Sequence, residues 1–224
     1  MRTLDLFCGT KSFSKVAEQA GYETYTLDIL EKFKPTFLVD LMDWDYKQFP
    51  TGYFDIIWAS PNCKDYSVLN FLSGKEKDLT QSNNLVKRTL EIIEYFNPTY
   101  WFLENPQTGL LKHQEFIEWL PFDDVDYCKY GFEYRKRTRI WNNCEWWEGK
   151  PPCCKDNYCK HRIDGKHTNF RWITNGKGKT TRWEQRIAIP RDLMHEIISS
   201  CNIASVMEYD LEGHSEWTSD EEEL

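Results

Sequence analysis

Apolar positions in the first hundred residues switch repeatedly between short continuous runs and a helical spacing. Residues 3–7 form a brief apolar run, followed by a turn containing Gly9. Phe13, Val16, Ala17 and Ala20 then recur at intervals of three and four, predicting a helix that Gly21 stops. Residues 23–28 and 36–40 read as second and third strands, each with an Asp at its end. Residues 54–59 read as a fourth, between the turn residues Gly52 and Pro61. Leu85, Val86, Leu90, Ile93 and Phe96 share one helical face, Pro98 ends that helix, and residues 100–103 make an aromatic fifth strand. Residues 125–130 and 138–141 are expected to close the sheet as an antiparallel pair. Strands alternating with helices predict an α/β fold, a doubly wound, Rossmann-like parallel sheet.

The pattern fades after Trp141. Residues 142–186 are rich in Cys, Trp, Lys and Gly and have little periodicity, so they read as a small Cys/His-rich, basic segment appended to a domain of residues 1–141. Residues 187–203 return to a helical spacing and are expected to pack back on that domain; residues 204–224 form an acidic tail. Hydrophobic residues make up 40% of the 224, enough for a packed core. No run of 18 apolar residues is present to span a membrane, and strand character from Thr3 onward leaves no room for a secretory leader. An intracellular, reducing location follows, cytoplasmic or nuclear, in which the 8 Cys are expected as catalytic, metal-binding or buried thiols.

Charge alters this picture only through its distribution. The net charge is −8, yet residues 129–191 hold 16 Lys/Arg against 6 Asp/Glu, leaving 12 against 30 for the rest of the chain. A basic segment in an acidic chain suits a phosphate backbone, or else is simply a solvated lysine-rich face.

Chemistry concentrates at the predicted strand ends. Asp5-Leu6-Phe7-Cys8-Gly9 lies where the first strand turns into the first helix, a place where backbone N–H groups meet ligands. Asp28, about twenty residues on, is positioned to accept from ribose hydroxyls, and Asp40 from an adenine amino group. Ser60-Pro61-Asn62-Cys63-Lys64-Asp65-Tyr66-Ser67 puts a thiol on the loop after the fourth strand, and Glu104-Asn105-Pro106 follows the fifth. A loop Cys beside a strand-end Glu supplies a nucleophile and an acid for attack on an aromatic base.

These motifs, with Arg135-Lys136-Arg137-Thr138-Arg139 after them, resemble in kind and order those of the DNA cytosine-5 methyltransferase family, in particular a small member of the phage or virus type. Lys11 and Ser12 stand where the family has glycines, Asn62 where it has proline, Lys64 and Arg135 where it has glutamine, and Pro106 where it has valine. The resemblance implies a fold built for S-adenosylmethionine, with Phe7, Gly9, Asp28, Ile29, Asp40 and Ser60 around that cofactor. It implies Cys63 as the nucleophile toward C6 of cytosine and Glu104 as the group holding the base. Arg137 and Arg139 would stand beside the thiol and favour its thiolate form; Asn105 and Arg135 would contact substrate. The expected substrate is DNA, with the base flipped out of the stack. RNA of the tRNA type is the alternative substrate, and a non-catalytic nucleic-acid binder the alternative class.

Cys144, Cys153, Cys154, Cys159, His161 and His167 fall close together in the segment after Trp141. Thiolates and imidazoles at such spacing suit one structural zinc, with Cys144, Cys154, Cys159 and His167 as the expected ligands and His161 as the alternative imidazole. Trp146, Trp147, Trp172 and Trp183 among basic residues suit either base stacking or local packing.

Overall fold

The structure is a computed structural model that describes residues 1–67, 78–153, 159–163, 166–167 and 187–212, with side chains described as far as Asn202. Cys154, Trp172, Trp183 and the acidic end from residue 213 lie outside the described residues.

Seven strands form one sheet: β1 (Arg2–Leu6), β2 (Glu23–Asp28), β3 (Phe37–Leu38), β4 (Ile56–Ala59), β5 (Tyr100–Pro106), β6 (Phe122–Asp126) and β7 (Arg137–Asn142). Their order is β3-β2-β1-β4-β5-β7-β6. The first five are parallel, β7 pairs antiparallel with β5, and β6 antiparallel with β7. A separate two-stranded hairpin, β8 (Arg162–Ile163) with β9 (Lys166–His167), follows. The helices are α1 (Ser12–Gln19), α2 (Thr80–Phe96) and α3 (Arg191–Glu212).

Alternation along the strands divides the interior into two cores, because successive side chains point to opposite faces. Ile56, Trp58, Tyr100 and Phe102 meet α1 and α3 on one face through Phe13, Val16, Leu193 and Ile197. Ile57, Ala59 and Leu103 meet α2 on the other through Val86, Ile93 and Phe96. Continuous apolar runs such as Ile-Ile-Trp-Ala in β4 are what a sheet covered on both faces requires.

Several boundaries differ from the pattern-based expectation, among them β3, which spans Phe37–Leu38 where 36–40 was expected, so that Asp40 lies just past the strand. β5 extends through Glu104, Asn105 and Pro106, so the motif belongs to the strand instead of following it. The predicted strand over 125–130 is β6 at Phe122–Asp126 followed by a 3-10 turn at Tyr127–Tyr130. Gly131, at φ 96°, ends that turn in a conformation that glycine adopts without strain. The last helix runs to Glu212, past the expected end at residue 203. No described helix is long and apolar enough to cross a membrane.

Candidate active site

The strand order reverses between β1 and β4, so the carboxyl ends of these strands border a crevice. The loop leaving β1 is stitched to its neighbours: Cys8 N donates to Leu27 O at 3.0 Å and Gly9 N to Asp28 Oδ2 at 2.9 Å. Phe7 (φ 61°), Gly9 (φ 48°) and Lys11 (φ 58°) all adopt left-handed backbone. For Phe7 and Lys11 that conformation costs roughly 1–2 kcal/mol each, a strain usually retained where a ligand meets the backbone. Lys11 therefore keeps the fold of a loop that glycine would form without strain. A Cβ on Gly9 would lie 3.3 Å from Ile187 Cδ1, so the loop is also closely covered.

Asp5 sits under this loop, buried, and accepts from Ser14 Oγ at 2.5 Å in the first turn of α1. Burial pushes its carboxyl up to about 7. Asp28 is buried as well, its two oxygens holding Gly9 N and Leu30 N (2.8 Å). Asp40 is half-buried and accepts from Met42 N at 3.0 Å. Ile29 and Leu30 after Asp28, and Leu38 and Met42 on either side of Asp40, are exposed apolar side chains, 62%, 41%, 52% and 47% respectively. Ser60, ending β4, accepts from Trp58 Nε1 at 2.7 Å through Oγ.

Cys63 is exposed on the loop after β4. That loop is fixed at both ends. Asn105, fully buried, donates from Nδ2 to Pro61 O at 3.1 Å, and Ser82 of α2 donates to Asp65 Oδ2 at 2.7 Å. Tyr66 is buried and donates to Asn83 Oδ1 at 2.9 Å. Desolvation and the Glu104 carboxylate push the Cys63 thiol above its ordinary value, while the Lys136 ammonium pulls it down.

Glu104 is 5% exposed and held by two donors on one oxygen: Tyr127 Oη at 3.0 Å and Lys136 Nζ at 3.2 Å from Oε1. Lys136 also lies 4.7 Å over the Tyr127 ring. The cation beside the thiol and the carboxylate is thus Lys136, which the sequence reading passed over for Arg137 and Arg139. Register is the reason. Glu104 pairs with Ile140 and shares its face, whereas Arg137, Arg139 and Trp141 alternate onto the other. There Arg139 makes a bidentate pair with Asp124 (2.7 and 2.8 Å) and stacks 3.4 Å over Phe122, while Arg137 is exposed. Asn105 supports the Cys63 loop from within the core, and Arg135 donates to the buried Asp126 Oδ2 at 2.9 Å.

Of the expected metal ligands, Cys159 and His167 come together, with Cys128 and Cys153 as neighbours in place of Cys144. Cys144 is buried against Cys201 of α3 on the far side of the segment. Trp147 is buried on Phe102 and donates to Glu196, leaving Trp146, 55% exposed, as the described tryptophan of the segment open to a partner.

A doubly wound sheet with a strained loop at its switch point, and a thiol and a held carboxylate on adjacent strand ends, defines a Rossmann-like methyltransferase. Within that class, the model of the C-5 cytosine-specific DNA methylases matches residues 1–134. The "Probable DNA (cytosine-5)-methyltransferase" of Frog virus 3 (isolate Goorha) is 35% identical over 222 residues, covering 90% of this chain and 100% of that protein. The chain belongs to the C-5 cytosine-specific DNA methylase family. Solved structures similar to it include the Entamoeba histolytica methyltransferase EhMeth (TM-score 0.47, 15% identity, 63% of this chain and 52% of that one). The S. pombe Dnmt2 methyltransferase is similar to the same degree (TM-score 0.47, 13% identity, 69% and 52%). This chain spans about half the length of those two proteins.

Proposed function

We propose that the chain methylates C5 of cytosine in DNA, with Cys63 as the nucleophile. The observation that carries this is the contact set of Glu104, a buried carboxylate oriented by Tyr127 and Lys136 and close enough to Cys63 to act on its thiol. S-adenosylmethionine supplies an electrophilic methyl group when bound. Phe7, Gly9, Asp28, Ile29, Asp40 and Ser60 fit it: strained backbone at the switch point, two anchored carboxylates for hydroxyl and amino groups, and exposed apolar side chains that a purine would cover.

Cytosine C5 is a poor nucleophile until the ring is broken open electronically. Cys63 Sγ forms a bond to C6 as its proton passes to water, which makes C5 an enamine-like carbon. Glu104 accepts from the exocyclic amine and shares a proton with N3, drawing electron density away from C6. C5 would take the donor's methyl group as the sulfonium–carbon bond breaks and a neutral thioether leaves; the C5 proton then passes to water, the Sγ–C6 bond breaks to restore the ring, and the thiolate released takes a proton from water. Lys136 offsets the negative charge that thiolate and carboxylate would otherwise concentrate in one place. The excess of basic residues between 129 and 191 suits the phosphate backbone, with Arg135, Lys136 and Arg139 engaged within the protein, and among the described tryptophans of the segment Trp146 is exposed to a base. The same reading includes one zinc ion in the segment after β7, with a structural role.

DNA containing 5-fluorocytosine, incubated with methyl donor, tests the mechanism, because fluorine cannot leave as the proton does. A covalent adduct on denaturing gels is expected with wild type and none with Cys63→Ser. Trapping on RNA and not on DNA would move the substrate assignment, and trapping by Cys63→Ser would end the mechanism.

A further inference from the structure

Three thiols and one imidazole meet where nothing in the methyl-transfer chemistry needs them. Cys128, Cys153, Cys159 and His167 each offer one ligand atom, and the four atoms lie within 4.8 Å of one another. His167 Nε2 is 3.3 Å from Cys153 Sγ and 3.3 Å from Cys159 Sγ. Ligand atoms at the corners of a tetrahedron about zinc stand roughly 3.5–3.8 Å apart, given bonds of about 2.3 Å to sulfur and 2.0–2.1 Å to nitrogen. The two His167 distances are a few tenths of an ångström shorter than that, and all four atoms lie close enough to surround one ion. Cys128 and Cys153 are 3% and 1% exposed, so the pocket is closed to solvent on that side.

The four residues come from separate parts of the chain. Cys128 lies in the 3-10 turn after β6 and belongs to the catalytic sheet. Cys153 and Cys159 lie in the segment after β7, and His167 is on the two-residue strand β9. A hairpin of two-residue strands has almost no apolar surface to bury, and a metal is the usual substitute for a core at that size. The surroundings are built for a closed site. Asp126 Oδ2 accepts from Cys153 N at 2.7 Å and from Arg135 Nε at 2.9 Å, fixing one ligand by its backbone. A Cβ on Gly149 would lie 2.4 Å from Val125 Cγ1, so the chain is drawn tightly onto β6 just before Cys153.

We propose that Cys128, Cys153, Cys159 and His167 bind one zinc ion in a closed four-coordinate site that clamps the segment after β7 onto the catalytic sheet. This rests on the structural-zinc reading above and assigns its ligands. Three thiols lose their protons to solvent as the ion binds. Three soft sulfurs with an imidazole suit zinc and disfavour magnesium or calcium, which take oxygen ligands. Consecutive residues connect the clamp to the active site: Asp126 holds the segment, Tyr127 holds Glu104, and Cys128 holds the ion.

The full chain, purified without added zinc, is analysed for metal and refolded with Co(II) in parallel. About one zinc per chain is expected, with a thiolate-to-cobalt charge-transfer band and the d–d bands of a tetrahedral site in the cobalt form. Cys128→Ser and His167→Ala should each lower retained zinc at least about fivefold, whereas Cys144→Ser and His161→Ala should retain it. The cobalt spectrum of the wild type keeps the test decisive if a variant misfolds. Zinc retained in full by Cys128→Ser, or lost with Cys144→Ser, would overturn the ligand assignment and leave a structural zinc standing. A wild type that holds neither zinc nor cobalt would overturn both. Neither result touches the methyl-transfer reading, which Cys63→Ser decides by adduct trapping while its metal content stays unchanged.

Discussion

Lys136 and Glu104 form an ion pair that is mostly shielded from water, with Nζ 3.2 Å from Oε1 and side-chain exposures of 22% and 7%. The pair also borders Cys63, whose thiol the carboxylate pushes up and the ammonium pulls down. One cation therefore serves two acidic groups whose charges would otherwise oppose each other.

Lys136→Met should move the thiol further up, because the ammonium that pulls it down disappears. Thiolate is the reactive form, so the rising limb of the pH–rate profile should shift to higher pH. The rate at neutral pH should fall, because less of the thiol is ionised there. Single-turnover methylation between pH 6 and 10 measures this. An unmoved limb would remove Lys136 from the chemistry.

Tyr127→Phe leaves Glu104 Oε1 one donor short inside the protein, while the ring keeps its edge-on contact with Phe132. A hydrogen bond to a charged group that is lost on burial costs about 1–3 kcal/mol. Thermal denaturation should show the loss, and methylation should slow while the cofactor product still binds as in wild type. A variant with wild-type rate and stability would show that Glu104 is held without the phenol.

Asp28→Ala should weaken binding of S-adenosylhomocysteine by about 1–3 kcal/mol in calorimetry. Asp28 anchors Gly9 N and Leu30 N at the crevice, so its removal frees the loop as well as a carboxylate. Undiminished affinity would place the cofactor elsewhere.

Asp5 gives the fold a pH dependence of unusual sign. Its carboxyl is raised to about 7 in the folded protein from an ordinary value of 3.8, so the folded state binds the proton more tightly than the unfolded state. Its contribution is neutral below about pH 4, turns unfavourable as pH rises, and levels off above about 7. Asp5→Asn should flatten the fall in melting temperature between pH 5 and 7, with the variant gaining on the order of 2–4 kcal/mol relative to wild type at the upper end. Parallel melting curves for the two proteins across that window would contradict the assignment.

Much of the site was legible because the chemistry sits at strand ends. Short apolar runs separated by helical spacing located β1, β2, β4 and β5, and a parallel sheet brings their carboxyl ends to one edge. That places Cys63, Glu104 and Asp28 near one edge; the roles proposed for them come from the resemblance to the family. Arg137 and Arg139 were a different kind of inference. They are near Glu104 in the sheet, but which face a β7 side chain takes depends on register, and a pairing of Glu104 with Ile140 turns both arginines away. Asn105, similarly, is a strand residue of the opposite parity, and so holds the Cys63 loop from inside. Cys128 carried no signal: a lone thiol 25 residues before Cys153, flanked by Tyr127 and Tyr130, reads as core.

By itself the sequence determined the alternation of strands and helices, the two-faced core, and which strands lead to Cys63 and Glu104, since each depends on local spacing and on the order of elements along the chain. Tertiary structure alone decided that β7 enters between β5 and β6, that Lys136 is the cation at Glu104, and that Cys128 joins Cys153, Cys159 and His167. These are contacts between segments far apart in the chain, set by strand register and by where a turn ends, and local spacing carries no record of either.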